Sequence, residues 1–100
     1  MNLSEILSKV REERLSRADL EMYEQTLANL YATMMVRIGE LKKERALYFL
    51  ERQRPEVTDI SIRRLWDAIP LGQELIGLEC DVKAVARMAS SVRSRIYQAY

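Results

Sequence analysis

The stretch Ser16–Gln53, SRADLEMYEQTLANLYATMMVRIGELKKERALYFLERQ, decides the fold. Apolar residues recur in it every three to four positions: Leu20, Tyr23, Leu27, Leu30, Met34, Ile38, Leu41 and Tyr48. That spacing puts them on one face of an α-helix, the face that must leave water. No proline interrupts the run, and its only glycine is Gly39. At 1.5 Å per residue the helix would be roughly 50 Å long. A second run covers Ile62, Leu65, Ile69, Leu75, Leu78, Val82, Val85, Ala89, Val92 and Ile96. A chain of 100 residues cannot wrap a core around a rod of that length. The two stripes must close against each other and against other copies of the chain.

Local signals set the element ends. Asn2 can cap a short first helix whose apolar residues are Leu3, Ile6, Leu7 and Val10. Ser16 followed by Asp19 resembles a capping box for the long helix. That helix should end near Arg54, because Pro55 forces the preceding residue out of helical geometry. Thr58 or Asp59 is a good N-cap for the next helix. Pro70 lacks a backbone N–H and its ring clashes with the preceding turn, so a kink or break is expected there. Pro70 could also sit in the first turn of a new helix after Ile69. The expected fold is all-α: a short N-terminal helix, then a long helical hairpin broken near Pro70, in one domain over residues 1–100.

Composition excludes several classes of function. Charged residues make up 31% and apolar residues 48%, which suits a foldable soluble chain rather than a disordered one. Histidine is absent and Cys80 is the single cysteine, so most zinc-ligand sets and any His-based nucleophile are missing. Cys80, between Leu78 and Val82, reads as a small buried hydrophobe. No phosphate-cradling glycine loop occurs, and pairs such as Glu40 and Glu44 read as a solvated helix face. No catalytic residue, cofactor or metal site is therefore expected. No leader segment and no apolar run long enough to span a membrane is visible, so an intracellular protein is the expectation.

The net charge of +1 is unevenly placed. Residues 41–64 carry seven basic and four acidic groups, a net of +3. The basic ones are Lys42, Lys43, Arg45, Arg52, Arg54, Arg63 and Arg64. They bracket the turn at Pro55, and a hairpin there would bring Arg63 and Arg64 near Arg52 and Arg54. Guanidinium forks bind phosphate, and several together give salt-dependent affinity for a nucleic-acid backbone. Tyr48 and Phe49 lie among them and could stack on an unpaired base. The plainer reading makes both aromatics core, with the arginines on a solvated face paired with Glu51 and Glu56. A secondary zone, Lys83, Arg87, Arg93 and Arg95, admits the same two readings. Trp66 reads as a core or interface anchor.

Short motifs along the chain resemble the UvsY recombination mediators of T-even-like phages. Leu3-Ser-Glu-Ile6 looks like that family's opening amphipathic turn, and Leu20-Glu-Met-Tyr23-Glu24 is similar to its Leu-Gln-Tyr-Glu stretch. Leu30-Tyr31, followed after nine residues by Leu41-Lys42-Lys43-Glu44, resembles the family's Leu-Tyr and Ile-Lys-Lys-Glu at the same distance. Val92-Arg93-Ser94-Arg95 looks like its Ile-Lys-Ser-Arg. This chain is shorter and lacks part of the middle helix, the polar linker and the C-terminal tail. The resemblance implies a helical homo-oligomer, closed into a ring, that binds single-stranded DNA. It implies two protein partners, a RecA-type recombinase and the single-strand-binding protein displaced from the strand. The implied setting is the cytoplasm of a phage-infected cell. A rival class is a helical structural or adaptor protein, such as a virion component or an inhibitor, that docks on a protein partner.

Overall fold

The computed structural model describes residue 5 and residues 16–98. Among these, three helices follow one another: α1 (Arg17–Arg52), α2 (Asp59–Ala68) and α3 (Pro70–Gln98). The expected short first helix lies outside the described residues, apart from Glu5, which is helical.

The helix ends follow local chemistry. Ser16 caps α1: its hydroxyl accepts from the Asp19 N–H at 3.2 Å and donates to the Asp19 carboxylate at 2.9 Å. Asp19 also sits in the first turn, where a negative charge opposes the helix dipole. At the other end, Arg52 and Arg54 fold back onto backbone carbonyls, of which those of Glu51 and Gln53 have no intrahelical donor. Arg52 donates to the Tyr48 carbonyl at 3.4 Å, and Arg54 donates to those of Gln53 at 2.6 Å and Glu51 at 3.5 Å. Thr58 caps α2 in extended geometry, its hydroxyl accepting from the Ser61 N–H at 3.2 Å.

The break at Pro70 is a full stop between two helices. Ile69 is extended, at φ −84° and ψ 158°, as a residue before proline must be. Pro70 is then the first residue of α3, where its missing N–H costs nothing. The carbonyls left open at the end of α2 are met at once. The Ile69 N–H donates to Trp66 at 3.2 Å, and the Gln73 side-chain amide donates to Asp67. Gly72 lies so close that a Cβ there would overlap the Trp66 carbonyl oxygen.

The chain packs as two units, and in each a segment of α1 lies against a segment of α3 as a helical hairpin. In the unit built on 17–33 and 82–98, the core is Leu20, Tyr23 and Leu27 with Val85, Met88, Val92 and Ile96. Arg93 reaches Glu24 across it at 3.3 Å. In the unit Met34–Asp81, Ile38 and Leu41 are buried with Ile62, Trp66 and Leu75. Tyr48 meets Trp66 edge to face, with centroids 5.5 Å apart. Arg37 grips Glu74 with its guanidinium fork at 2.8–3.1 Å and donates to Glu40 at 3.1 Å. The hydrogen bonds to Glu74, then Glu40, hold the Arg37 guanidinium still further above its ordinary range, so it stays charged.

Three sequence expectations need correction. Leu65 is 54% exposed, because Trp66 and Ile62 set the roll of the short helix α2 and turn Leu65 outward. Cys80 is exposed rather than buried. It falls two residues after Leu78, and two residues on a helix is about 200° of rotation, the opposite face. Met88 is buried while Ala89 is only half-buried, so the stripe is broader than one residue per turn there.

Candidate nucleic-acid interface

The seven basic residues of the first zone all lie in the Met34–Asp81 unit, on three kinds of local structure. Lys42, Lys43 and Arg45 sit on α1; the two lysines are exposed and Arg45 is half-buried. Arg52 is the last residue of α1, and Arg54 lies in the turn that follows. Arg63 and Arg64 are on α2, immediately after the buried Ile62, and both are exposed. Lys42 and Lys43 are successive, so they diverge by about 100° around the helix.

Arg52 and Arg54 are already engaged. Besides its bond to the Tyr48 carbonyl, Arg52 lies 3.5 Å from the Tyr48 ring centroid and 3.5 Å from Glu51. The Tyr48 face that could stack on a base is covered by that guanidinium, a cation–π contact. Tyr48 and Phe49 are half-buried, and Tyr48 is fixed against Trp66. Here Tyr48 is a packing residue. By contrast, no ion pair or hydrogen bond from a side chain holds Lys42, Lys43, Arg45, Arg63 or Arg64 among the described residues. The turn is also mixed in charge. From Glu51 to Arg64, four basic residues face three acidic ones, a net of +1.

The secondary zone lies in the other unit. Lys83 and Arg87 are one turn apart, exposed, and held by no partner among the described residues. Arg93 is tied to Glu24, and Arg95 is half-buried. Arg93 and Glu24 rim an open groove of about 360 Å³ floored by Leu27, Ala28, Ala86 and Ala89. A smaller groove of about 120 Å³ in the other unit runs along Leu47, Tyr48, Trp66 and Leu71, with Glu44 and Glu51 on its rim.

No group of three metal-ligating side chains occurs among the described residues. No described helix is long and apolar enough to cross a membrane. No family model, no curated protein and no solved structure matches this chain.

Proposed function

We propose that this chain is a single-stranded DNA-binding recombination mediator that works as a homo-oligomer and helps load a RecA-type recombinase. The observation that carries the reading is the pattern of engaged and unengaged cations. Arg37 and Arg93 are spent on cross-helix carboxylates, whereas Lys42, Lys43, Arg63, Arg64, Lys83 and Arg87 stand exposed without a partner among the described residues. Exposed cations bind phosphates regardless of base sequence, which is what a strand organiser needs. The mechanism is binding and presentation of the strand, with the recombinase replacing the single-strand-binding protein on it. A cluster of modest net charge gains strength when several copies present it together.

The second reading, a helical adaptor for a protein partner, is favoured by the apolar groove beside Trp66, which the exposed Leu47 and Leu71 line. A titration with single-stranded DNA at several salt concentrations separates the two. Arg63→Ala with Arg64→Ala is the informative variant, because neither side chain caps a helix. The mediator reading expects log affinity to fall linearly with log salt, with a slope lower by roughly 1.4 in the variant. Absence of DNA binding by the unaltered protein at low salt would transfer the case to the adaptor.

A further inference from the structure

We infer that the groove between the end of α1 and the α2–α3 junction docks a basic segment of a protein partner, one arginine or lysine of which lies in it. This names the partner for the adaptor reading above and rests on that reading; it is independent of strand binding. Every residue it uses lies in the Met34–Asp81 unit. The groove holds about 120 Å³. Small-molecule sites run to roughly 300–1,000 Å³, so this one has room for a side chain rather than for a cofactor. Leu47 and Leu71 line it and remain 54% and 37% exposed. Tyr48, half-buried, and Trp66, almost wholly buried, complete its apolar part.

Charge selects the occupant. Among the described residues, the charged ones that line the groove are both acidic, Glu44 and Glu51. Glu44 is exposed and holds no partner among the described residues. Glu51 counts for less, since its carboxylate lies 3.5 Å from the neighbouring Arg52. The backbone adds to Glu44. Helix α2 ends at Ala68, immediately before Ile69, which also lines the groove. The last turn of α2 has no basic residue and includes Asp67, so the negative end of that helix is uncompensated. A cation in the groove would answer both.

An apolar floor beside a free carboxylate fits a long cationic side chain. Its methylene stem lies on Leu47 and Leu71 while its charged head meets Glu44. A leucine or phenylalanine would cover the same floor but take water from Glu44 without giving it a partner. A phosphate would meet like charge. The fold already holds one cation by the same chemistry: the Arg52 guanidinium rests on the Tyr48 ring beside Glu51. Arg52 itself does not line the groove, which is left to a second cation.

Trp66 is the only tryptophan of the chain and lines the groove, so its fluorescence reports occupancy. The probes are a capped peptide, Ala-Leu-Arg-Leu-Ala, and the same peptide with citrulline, the uncharged analogue, in place of arginine. The arginine peptide should shift Trp66 emission saturably and bind about fivefold more tightly than the citrulline peptide, the upper end for a partly exposed ion pair. Glu44→Gln should remove that preference and leave the citrulline peptide unchanged. Leu47→Ser should weaken both peptides. Asp81→Asn, which changes an exposed acid off the groove, should weaken neither. Equal binding of the two peptides, or a preference that survives Glu44→Gln, overturns the inference and leaves the adaptor reading standing. No saturable shift with either peptide at millimolar concentration overturns the inference and removes the groove from the adaptor reading as well. A shift on raising the protein concentration alone, abolished by Leu47→Ser, would give the groove to a second copy. A shift with single-stranded DNA but with neither peptide would give it to nucleic acid. Each of these overturns the inference.

Discussion

The junction between α2 and α3 supports a sharp test, because the two glycines of α3 should answer differently to one added methyl group. At Gly72 the new Cβ would overlap the Trp66 carbonyl oxygen, lie 2.7 Å from the Trp66 carbonyl carbon and 3.0 Å from the Asp67 Cα. All three atoms are backbone, so no side chain can swing aside. Relief requires the start of α3 to move off the end of α2. That movement disturbs the Gln73 amide on Asp67 and the seat of Trp66, which is only 2% exposed. Forcing extra volume into such a contact costs about 1–3 kcal/mol, while the better helix propensity of alanine returns at most ~1 kcal/mol. A net loss of about 1–2 kcal/mol is expected. In a chain of this size each kcal/mol moves Tm by roughly 4–8 °C. Gly72→Ala should therefore melt about 5–15 °C below the parent. Gly77 is the control: a Cβ there meets nothing within 4 Å, so Gly77→Ala should raise Tm by a few degrees, about 0.5–1 kcal/mol. Both are read by far-UV circular dichroism at one protein concentration, because any association would make Tm depend on concentration. If Gly72→Ala melts at or above the parent, the close approach of α3 to Trp66 is wrong.

Two more expectations concern the core and the helix ends. Leu75→Asp or Val85→Asp places an unpaired carboxylate at a site 2% or 0% exposed, costing several kcal/mol, and helical content should fall; wild-type behaviour of both would refute the packing of α3. Arg52→Ala with Arg54→Ala should lower helical content slightly as well as any DNA affinity, because Arg54 bonds the Glu51 carbonyl at the end of α1 and Arg52 lies back over the Tyr48 ring. Amide exchange over residues 49–52 should quicken in that variant, and unchanged protection there would show that the caps contribute nothing.

Much of the fold was legible because its signals are local. Ser16, Thr58 and Pro70 each act within three residues of themselves, and each does what its type demands. The stripes were legible because 3.6-residue periodicity is intrinsic to the helix. The errors have a common form. Cys80 lies between stripe residues in sequence but opposite them in angle, and Leu65 depends on how α2 rolls around Trp66. The part Gly72 plays is steric, and reading it needs the position of a carbonyl on another helix. The candidate interface was legible only as charge. That Arg93 is tied to Glu24, and Arg52 to Tyr48, follows from which carboxylate, carbonyl or ring comes within reach after folding.

The engaged cations also constrain which side chains the proposed strand could use. Arg37 and Arg93 each hold a carboxylate across the hairpin of their own unit, so a phosphate would reach them only by breaking that pair. Lys42, Lys43, Arg63 and Arg64 in one unit, and Lys83 and Arg87 in the other, hold no carboxylate among the described residues, so a phosphate contact costs them no ion pair. If the chain binds single-stranded DNA, Arg87→Ala should lower the salt slope by roughly 0.7 as one phosphate contact is lost, whereas Arg93→Ala should leave the slope nearly unchanged. The reverse order, measured by titration at several salt concentrations, would show that the strand displaces the Glu24 pair and that engagement within the fold does not decide which cations meet phosphate.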